Sequence, residues 1–422
     1  MTKSPSPRVN RRQFLAASSA ATMALPYFVP ARAFGANDRI RTGHIGVGGR
    51  GMGHLDGFIE QVVAVCDVDK SHLAEAVKHL KSKGRQVDAY SDYRRLLERK
   101  DLDAVVIATP DHWHALPTID ACSAGKDVFV EKPLSLTVAE GRKMVEAARR
   151  YERVVQTGSQ QRSDPLFRRA VELIRSGRLG RLKQILVGIP QVRFRGTKIA
   201  DSAPPPELDF NFWLGPAPLR PYNANQVHYN FRYFWDYSGG QMTNWGAHHI
   251  DIAQWALDAD HSGPIEIEGT ATFDGKGLYD VTSTCRATHT FANGVQLTVG
   301  QLQNDIPLGA TFIGTAGRLY VDRGKIESTP AELMKEPLAA DAVHLEVSND
   351  HTQNFLDCIK SRKAPISDVE IGHRSATLCH LGNIAVRLGR KIHWDAASEK
   401  ILGDPEALSM LERPSRAPWA LS

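Results

Sequence analysis

The chain has 422 residues, 42% hydrophobic and 23% charged, with 34 glycines and 23 prolines. Such a composition holds enough apolar mass for a sizeable core and excludes collagen, coiled coil and wholesale disorder. The formal charge of +5 is gathered at the start, where the first 33 residues contain Lys3, Arg8, Arg11, Arg12 and Arg32 and no acid; the remainder is close to neutral, so no strong attraction to nucleic acid is expected.

Residues 10–16, Asn-Arg-Arg-Gln-Phe-Leu-Ala, precede an Ala/Ser-diluted apolar run to Val29 and a small-residue site at Ala31-Arg32-Ala33. The pattern resembles a twin-arginine export signal over 1–33, cleaved near Ala33, which implies passage through the twin-arginine machinery and a periplasmic location. The uncharged run is broken by Pro26 and is short for the roughly 20 residues that span hydrocarbon, so no membrane association is expected of the mature chain. The five cysteines include no Cys-x-x-Cys pair, which argues against a disulfide framework or a zinc cluster.

A strand is expected from Thr42 to Gly46. It runs into Gly46-Val47-Gly48-Gly49-Arg50-Gly51 and then a helix to about Ile59. In this G-x-G-x-x-G order Gly46 permits the tight turn, Gly48 lets backbone approach a pyrophosphate, Gly51 allows close packing, and the helix N-terminus stabilises the anion. Gly49 and Arg50 complete the loop. A second apolar strand, Val62 to Cys66, ends at Asp67, 21 residues after Gly46, where a carboxylate can accept from the adenosine ribose hydroxyls and repel a 2'-phosphate. NAD is therefore expected over NADP, although the Arg50 guanidinium offers some compensation for an added phosphate. Helices over Lys70–Lys83 and Ala115–Ala124 alternate with strands over Ala104–Ala108 and Val128–Glu131, which predicts an α/β, doubly wound parallel sheet over 38–158. Ligands of such sheets sit beyond the strand carboxyl ends. The segments to inspect are therefore Thr109-Pro110-Asp111-His112-Trp113-His114 and Glu131-Lys132-Pro133. Lys132 can donate to a substrate hydroxyl there, and His114 can cap its helix or contact the cofactor.

These motifs, with Gly125-Lys126-Asp127-Val128, Trp213-Leu214-Gly215-Pro216, Trp235-Asp236-Tyr237-Ser238-Gly239-Gly240 and Gly246-Ala247-His248-His249-Ile250-Asp251, resemble the Gfo/Idh/MocA family. The resemblance implies a second domain with an open, mostly antiparallel sheet that covers the nicotinamide, and a homo-oligomer, commonly a dimer or tetramer. It also implies cofactor contacts from Thr109, Pro110 and Glu131, and a substrate role for Arg162 by family position.

From about Gln160 the alternation ends. Strand composition at Leu182–Ile189, Ile265–Phe273, Thr282–Phe291, Val295–Gln301 and Ala310–Ile313, with a turn at Asn293-Gly294, predicts an α+β substrate and oligomerisation domain over 159–422. Helices at His351–Ile359 and Arg374–Leu388 are expected to pack back against the sheets. If Gln241 to Trp255 is one helix, Asn244, His248 and Asp251 share a face while His249 points about 100 degrees away. His248 is the expected acid/base, since imidazole suits proton removal from a carbinol near neutral pH. The resemblance pairs it with Lys132 and with an aspartate four residues earlier. Here that position is Asn244, so either His248 is a weaker base or Asp251 or a more distant acid stabilises the imidazolium. A metal site at His248, His249 and Asp251 is not expected, because adjacent helical histidines diverge. The aromatic stretch His228 to Tyr237, with Tyr229, Arg232 and Trp235, suits a sugar whose C–H face stacks while its hydroxyls hydrogen-bond, and a buried strand or subunit interface equally.

The expected activity is hydride transfer between a nicotinamide and a sugar, polyol or glycoside. An exported enzyme is expected to hold its cofactor tightly and recycle it. Redox-neutral glycoside cleavage through a 3-keto intermediate uses the same residues, and a non-catalytic NAD-binding sensor or scaffold is the alternative that Asn244 favours.

Overall fold

Strands buried on both faces favour unbroken apolar runs, and Val62–Cys66, Ala104–Ile107 and Val128–Val130 supply them in the first sheet of the computed structural model, which describes residues 39–193, 196–335 and 337–421. The twin-arginine segment, with Arg11, Arg12 and the Ala31–Ala33 site, lies outside the described residues. Strands β1 (Thr42–Ile45), β2 (Val62–Cys66), β3 (Asp88–Tyr90), β4 (Ala104–Ile107), β5 (Asp127–Val130) and β6 (Val155–Thr157) pair in parallel in the order β3-β2-β1-β4-β5-β6. The order reverses between β1 and β4, which opens a crevice at their carboxyl ends. The short β3 and β6, and the helices Tyr93–Leu97 and Val138–Arg150, were not among the sequence expectations.

The second sheet gathers β7 (Leu182–Ile189), β8 (Glu266–Phe273), β9 (Thr282–Thr290), β10 (Gln296–Gln301), β11 (Gly309–Gly314), β12 (Arg318–Asp322), β13 (Lys325–Thr329), β14 (Ile392–Asp395) and β15 (Lys400–Leu402). Their order is β13-β12-β11-β7-β10-β9-β8-β14-β15, antiparallel except for the β7–β10 pair. One face of β9 presents the buried Cys285, Ala287 and His289, the period-2 pattern of a strand covered on one side. The helix Pro165–Arg175 lays Phe167, Ala170, Val171 and Ile174 into the same core as this face, and Gly246–Ala256 joins it. Truncating Phe167 to alanine there would cost about 3–5 kcal/mol.

The two sheets share helices. His351–Ser361 packs Phe355 against Phe58 and Phe129 of the first sheet's layers, and Val369–Leu388 contributes Val369 and Ala376 to the same lobe while Leu381 and Ile384 join a cluster with β8 and β14. All five cysteines are buried and unpaired. No helix of the described residues is long and apolar enough to cross a membrane.

Candidate active site

A cavity of about 640 Å³ opens where β1, β2, β4 and β5 end, and helices and a hairpin of the second lobe close it. That volume suits a small-molecule ligand. Its floor is the glycine loop. Gly46 has φ of +80, and a side chain there would strike Ala108 backbone at 2.9 Å. A Cβ on Gly51 would meet the Gly46 carbonyl at 2.0 Å, so the turn and the helix Gly49–Gly57 approach as the motif requires. Gly48, Gly49 and Arg50 line the cavity, with the N-terminus of that helix facing it.

Asp67 follows β2 and also lines the cavity. Its Oδ2 accepts from Val47 N at 2.9 Å and its Oδ1 from Asp69 N at 2.9 Å. Each oxygen keeps a further lone pair, so the carboxylate is oriented by backbone and still able to accept from hydroxyls. Thr109, Pro110 and His114 line the cavity at the end of β4. The His114 ring is fixed between the carbonyls of Pro133 at 2.7 Å and Thr109 at 3.0 Å.

Glu131 and Lys132 follow β5. Burial would raise the Glu131 carboxyl, but His54, Arg50 and Lys132 overcome this and hold it well below the ordinary carboxylate range. Its Oε1 accepts from Arg50 Nε at 3.0 Å and lies 2.7 Å from His54 Nε2. Lys132 Nζ donates to the main-chain oxygen of Asn244 at 3.0 Å and to its side-chain Oδ1 at 3.1 Å. Burial lowers the Lys132 ammonium from 10.5 to about 8, against the pull of Glu131 and with the push of Arg232 and Arg323.

The stretch 241–255 is two helices, Gln241–Asn244 and Gly246–Ala256, joined at Trp245. Asn244 and His248 line the cavity. Burial, with Lys132 and Arg323 nearby, keeps the His248 imidazole well below 6.5 and therefore neutral at physiological pH. Its Nδ1 is buried and has no hydrogen-bond partner among the described residues. The neutral ring lines the cavity, so its other nitrogen, Nε2, is the one able to accept a proton from a ligand hydroxyl.

Several expected site residues are elsewhere. Asp251 does not share the working face: it is fully buried and pairs with Arg162, Oδ2 to Nε at 2.8 Å. Arg162 is equally buried and also pairs with Asp260 at 2.7 Å. Both are internal ion-pair partners rather than substrate contacts, so Asp251 cannot stand in for the missing aspartate. That position, Asn244, engages Lys132 and not His248. His249 is buried against Trp245, ring centroids 6.2 Å apart, and Trp235 is clamped between Arg387 at 3.9 Å and Arg413 at 4.0 Å, beside a smaller cavity of about 250 Å³. Neither lines the main cavity. Of the aromatic stretch, Tyr229 and Arg232 do line it, on a short 3-10 turn rather than a strand, while Tyr233, Phe234 and Tyr237 form core.

His228, the first residue of the aromatic stretch, lines the cavity as well. Sequence reasoning missed Arg323, on the β12–β13 turn, which lines it too. It also missed the grouping of Asp69, His72 and His228, whose donor atoms lie within 4.8 Å of one another. Asp69 Oδ1 there caps the Lys70–Ser82 helix and Oδ2 lies 3.0 Å from His228 Nε2, so hydrogen bonding accounts for the grouping. Nothing in the local sequence could bring residue 228 to residue 72.

The glycine turn, the oriented carboxylate and the cleft at the sheet's reversal define a dinucleotide-binding oxidoreductase architecture. Residues 40–159 match the model described as the oxidoreductase family's NAD-binding Rossmann fold, and residues 191–421 match that of its C-terminal alpha/beta domain. The chain belongs to this Gfo/Idh/MocA oxidoreductase family. Over 123 residues it is 40% identical to glycosyl hydrolase family 109 protein 1 of a Shewanella species and 39% identical to an alpha-N-acetylgalactosaminidase of Shewanella oneidensis; each match spans 27% of either chain. Among solved structures, the WlbA dehydrogenase of Bordetella pertussis in complex with NADH and UDP-GlcNAcA is similar with a TM-score of 0.63 at 19% identity, covering 85% of this chain and 99% of that one. Aldose-aldose oxidoreductase of Caulobacter crescentus is similar with a TM-score of 0.62 at 17% identity, covering 84% and 99%.

Proposed function

We propose that the chain binds NAD(H) tightly and moves hydride between it and a carbinol carbon of a sugar, polyol or glycoside. The observation that carries this reading is the meeting of Lys132 from the first lobe with Asn244 of the second, in a cavity that His248 also lines. Thr109, Pro110, Glu131 and Lys132 would hold a nicotinamide, which when bound would supply the hydride acceptor. As the substrate C–H bond breaks with its electron pair, His248 takes the hydroxyl proton and the carbon–oxygen bond becomes a carbonyl; Lys132 donates a hydrogen bond to that oxygen and disperses its developing charge. The reverse sequence reduces a ketone.

The Asp67 carboxylate favours NAD over NADP, because it faces the side of the cavity where an added phosphate would meet like charge. Export by a twin-arginine signal, a periplasmic location and a homo-oligomeric state belong to the same proposal. The signal pattern supports the first two, and family resemblance supports the third. Free cofactor is scarce outside the cytoplasm, so oxidation and reduction would be coupled on one retained nicotinamide.

A second reading is favoured by the family 109 relatives. Transient oxidation at C3 of a glycoside acidifies the C2 proton, elimination expels the C1 substituent, water adds, and the hydride returns, for net hydrolysis. The test is to purify the protein, denature it and identify released nucleotide by mass, then assay glycosides without added cofactor. Released NAD with turnover supports the proposal, and aglycone release without net change in NADH absorbance selects hydrolysis. A preparation that is nucleotide-free and requires exchangeable NADP overturns the tight-NAD reading.

A further inference from the structure

Two guanidinium groups of the second lobe line the cavity and have no carboxylate partner among the described residues. Arg323, on the β12–β13 turn, rests over the Trp245 ring at 4.9 Å and donates weakly to Gln161 Oε1 at 3.3 and 3.4 Å. Arg232 donates to the Tyr229 carbonyl at 2.9 Å and lies over the Tyr229 and Phe231 rings at 4.6 and 4.5 Å. Stacking fixes both planes. Each guanidinium has five N–H donors, so several remain unused. Most other arginines around the site are neutralised, Arg50 by Glu131 and Arg162 by two aspartates.

Arg232 on the 3-10 turn and Arg323 on the β12–β13 turn line the same cavity as Lys132, so positive charge reaches it from two different elements, and both groups push the Lys132 ammonium toward its neutral form. Of the acids lining the cavity, Glu131 is paired with Arg50 and His54, Asp67 is held by backbone at the glycine-loop end, and Asp111, fully buried, accepts from the Ser238 hydroxyl at 2.5 Å. An oxidised nicotinamide adds further positive charge. A bound cofactor's phosphates would meet the helix N-terminus at Gly49. The cavity thus carries two guanidinium groups without carboxylate partners at its substrate end, Arg232 half-buried and Arg323 exposed, an arrangement that selects carboxylates through charge-assisted hydrogen bonds.

Building on the proposed sugar chemistry, we infer that the substrate is a sugar acid, a uronate or its glycoside, whose carboxylate engages Arg232 and Arg323 while a ring hydroxyl meets Lys132 and His248. Binding is read first, apart from turnover. Titration of the NAD-loaded protein with glucuronate, glucose, galacturonate and galactose is expected to give at least about tenfold tighter binding for one acid than for its neutral partner, with the advantage shrinking at high salt. Arg232→Gln and Arg323→Gln are expected to reduce that advantage, and the double variant to remove it. Neutral sugars binding as well as both acids, or an acid preference untouched by the double variant, overturns the inference. A double variant that has lost its NAD does so too, because the guanidinia would then serve the cofactor's phosphates. Acid-selective binding with no turnover of any sugar upholds the carboxylate site and overturns the hydride-transfer reading instead.

Discussion

Lys132 Nζ bonds two oxygens of one residue, the main-chain and side-chain oxygens of Asn244, at 3.0 and 3.1 Å. The end of β5 is thereby tied to the break between two helices of the other lobe. A neutral amide at this point leaves the ammonium depressed to about 8, where a carboxylate would have held it up.

Asn244→Asp should therefore raise the Lys132 pKa. If protonated Lys132 is the active form, the wild-type rate falls as pH climbs through about 8, and in the variant that limb moves up by about one unit or more. The acid limb, set by His248, should stay below the usual histidine value of 6.5 in both. A pH–rate profile of kcat reads both limbs, and an alkaline limb that does not move would remove Asn244 from the control of Lys132.

Removing either proton-handling group should cut turnover by about 10²–10⁴-fold. Lys132→Ala and His248→Ala are the variants, and NAD content measured after denaturation should remain that of the parent. Equal turnover with full NAD would leave the chain as a binding protein.

Charge burial at Lys132 also costs stability. Its folded pKa of about 8 lies below the ordinary 10.5, so the unfolded chain binds the extra proton between these values. The penalty is complete below about pH 8 and disappears as pH rises toward 10.5. Lys132→Met should accordingly stabilise the protein at pH 7 by up to about 3 kcal/mol and confer little at pH 10.5, as read from denaturant midpoints.

Arg162→Met should act on stability rather than on the site. It strands Asp251, fully buried, without its partner, at a cost of about 3–5 kcal/mol. Thermal melting should reveal the loss, while KM per folded molecule remains that of the parent. A selective rise in KM without a change in melting would return Arg162 to the substrate.

Much of this was legible in the sequence because it is local. The glycine turn, Asp67 at the end of β2 and the Glu131-Lys132 pair each follow a short apolar strand, and a strand's carboxyl end is where such sheets bind ligands. The strands Val62–Cys66 and Leu182–Ile189 match the expected bounds. Trp245 separates two helices but keeps right-handed helical dihedrals, so Asn244 and His248 share the cavity face as i, i+4 spacing expects; what failed was the placing of Asp251 beside them, since burial commits it to Arg162. Arg323 was invisible for another reason: a turn arginine carries no periodicity, and only the pairing of β11, β12 and β13 brings it to the cleft.

The helices at His351–Ser361 and Val369–Leu388 complete the apolar layers of a lobe whose strands end at residue 157. During synthesis the nucleotide-binding half must wait, with Phe58 and Phe129 uncovered, until nearly the whole polypeptide has left the ribosome. A shortened chain that lacks those helices would leave this apolar surface open to solvent and is expected to be unstable.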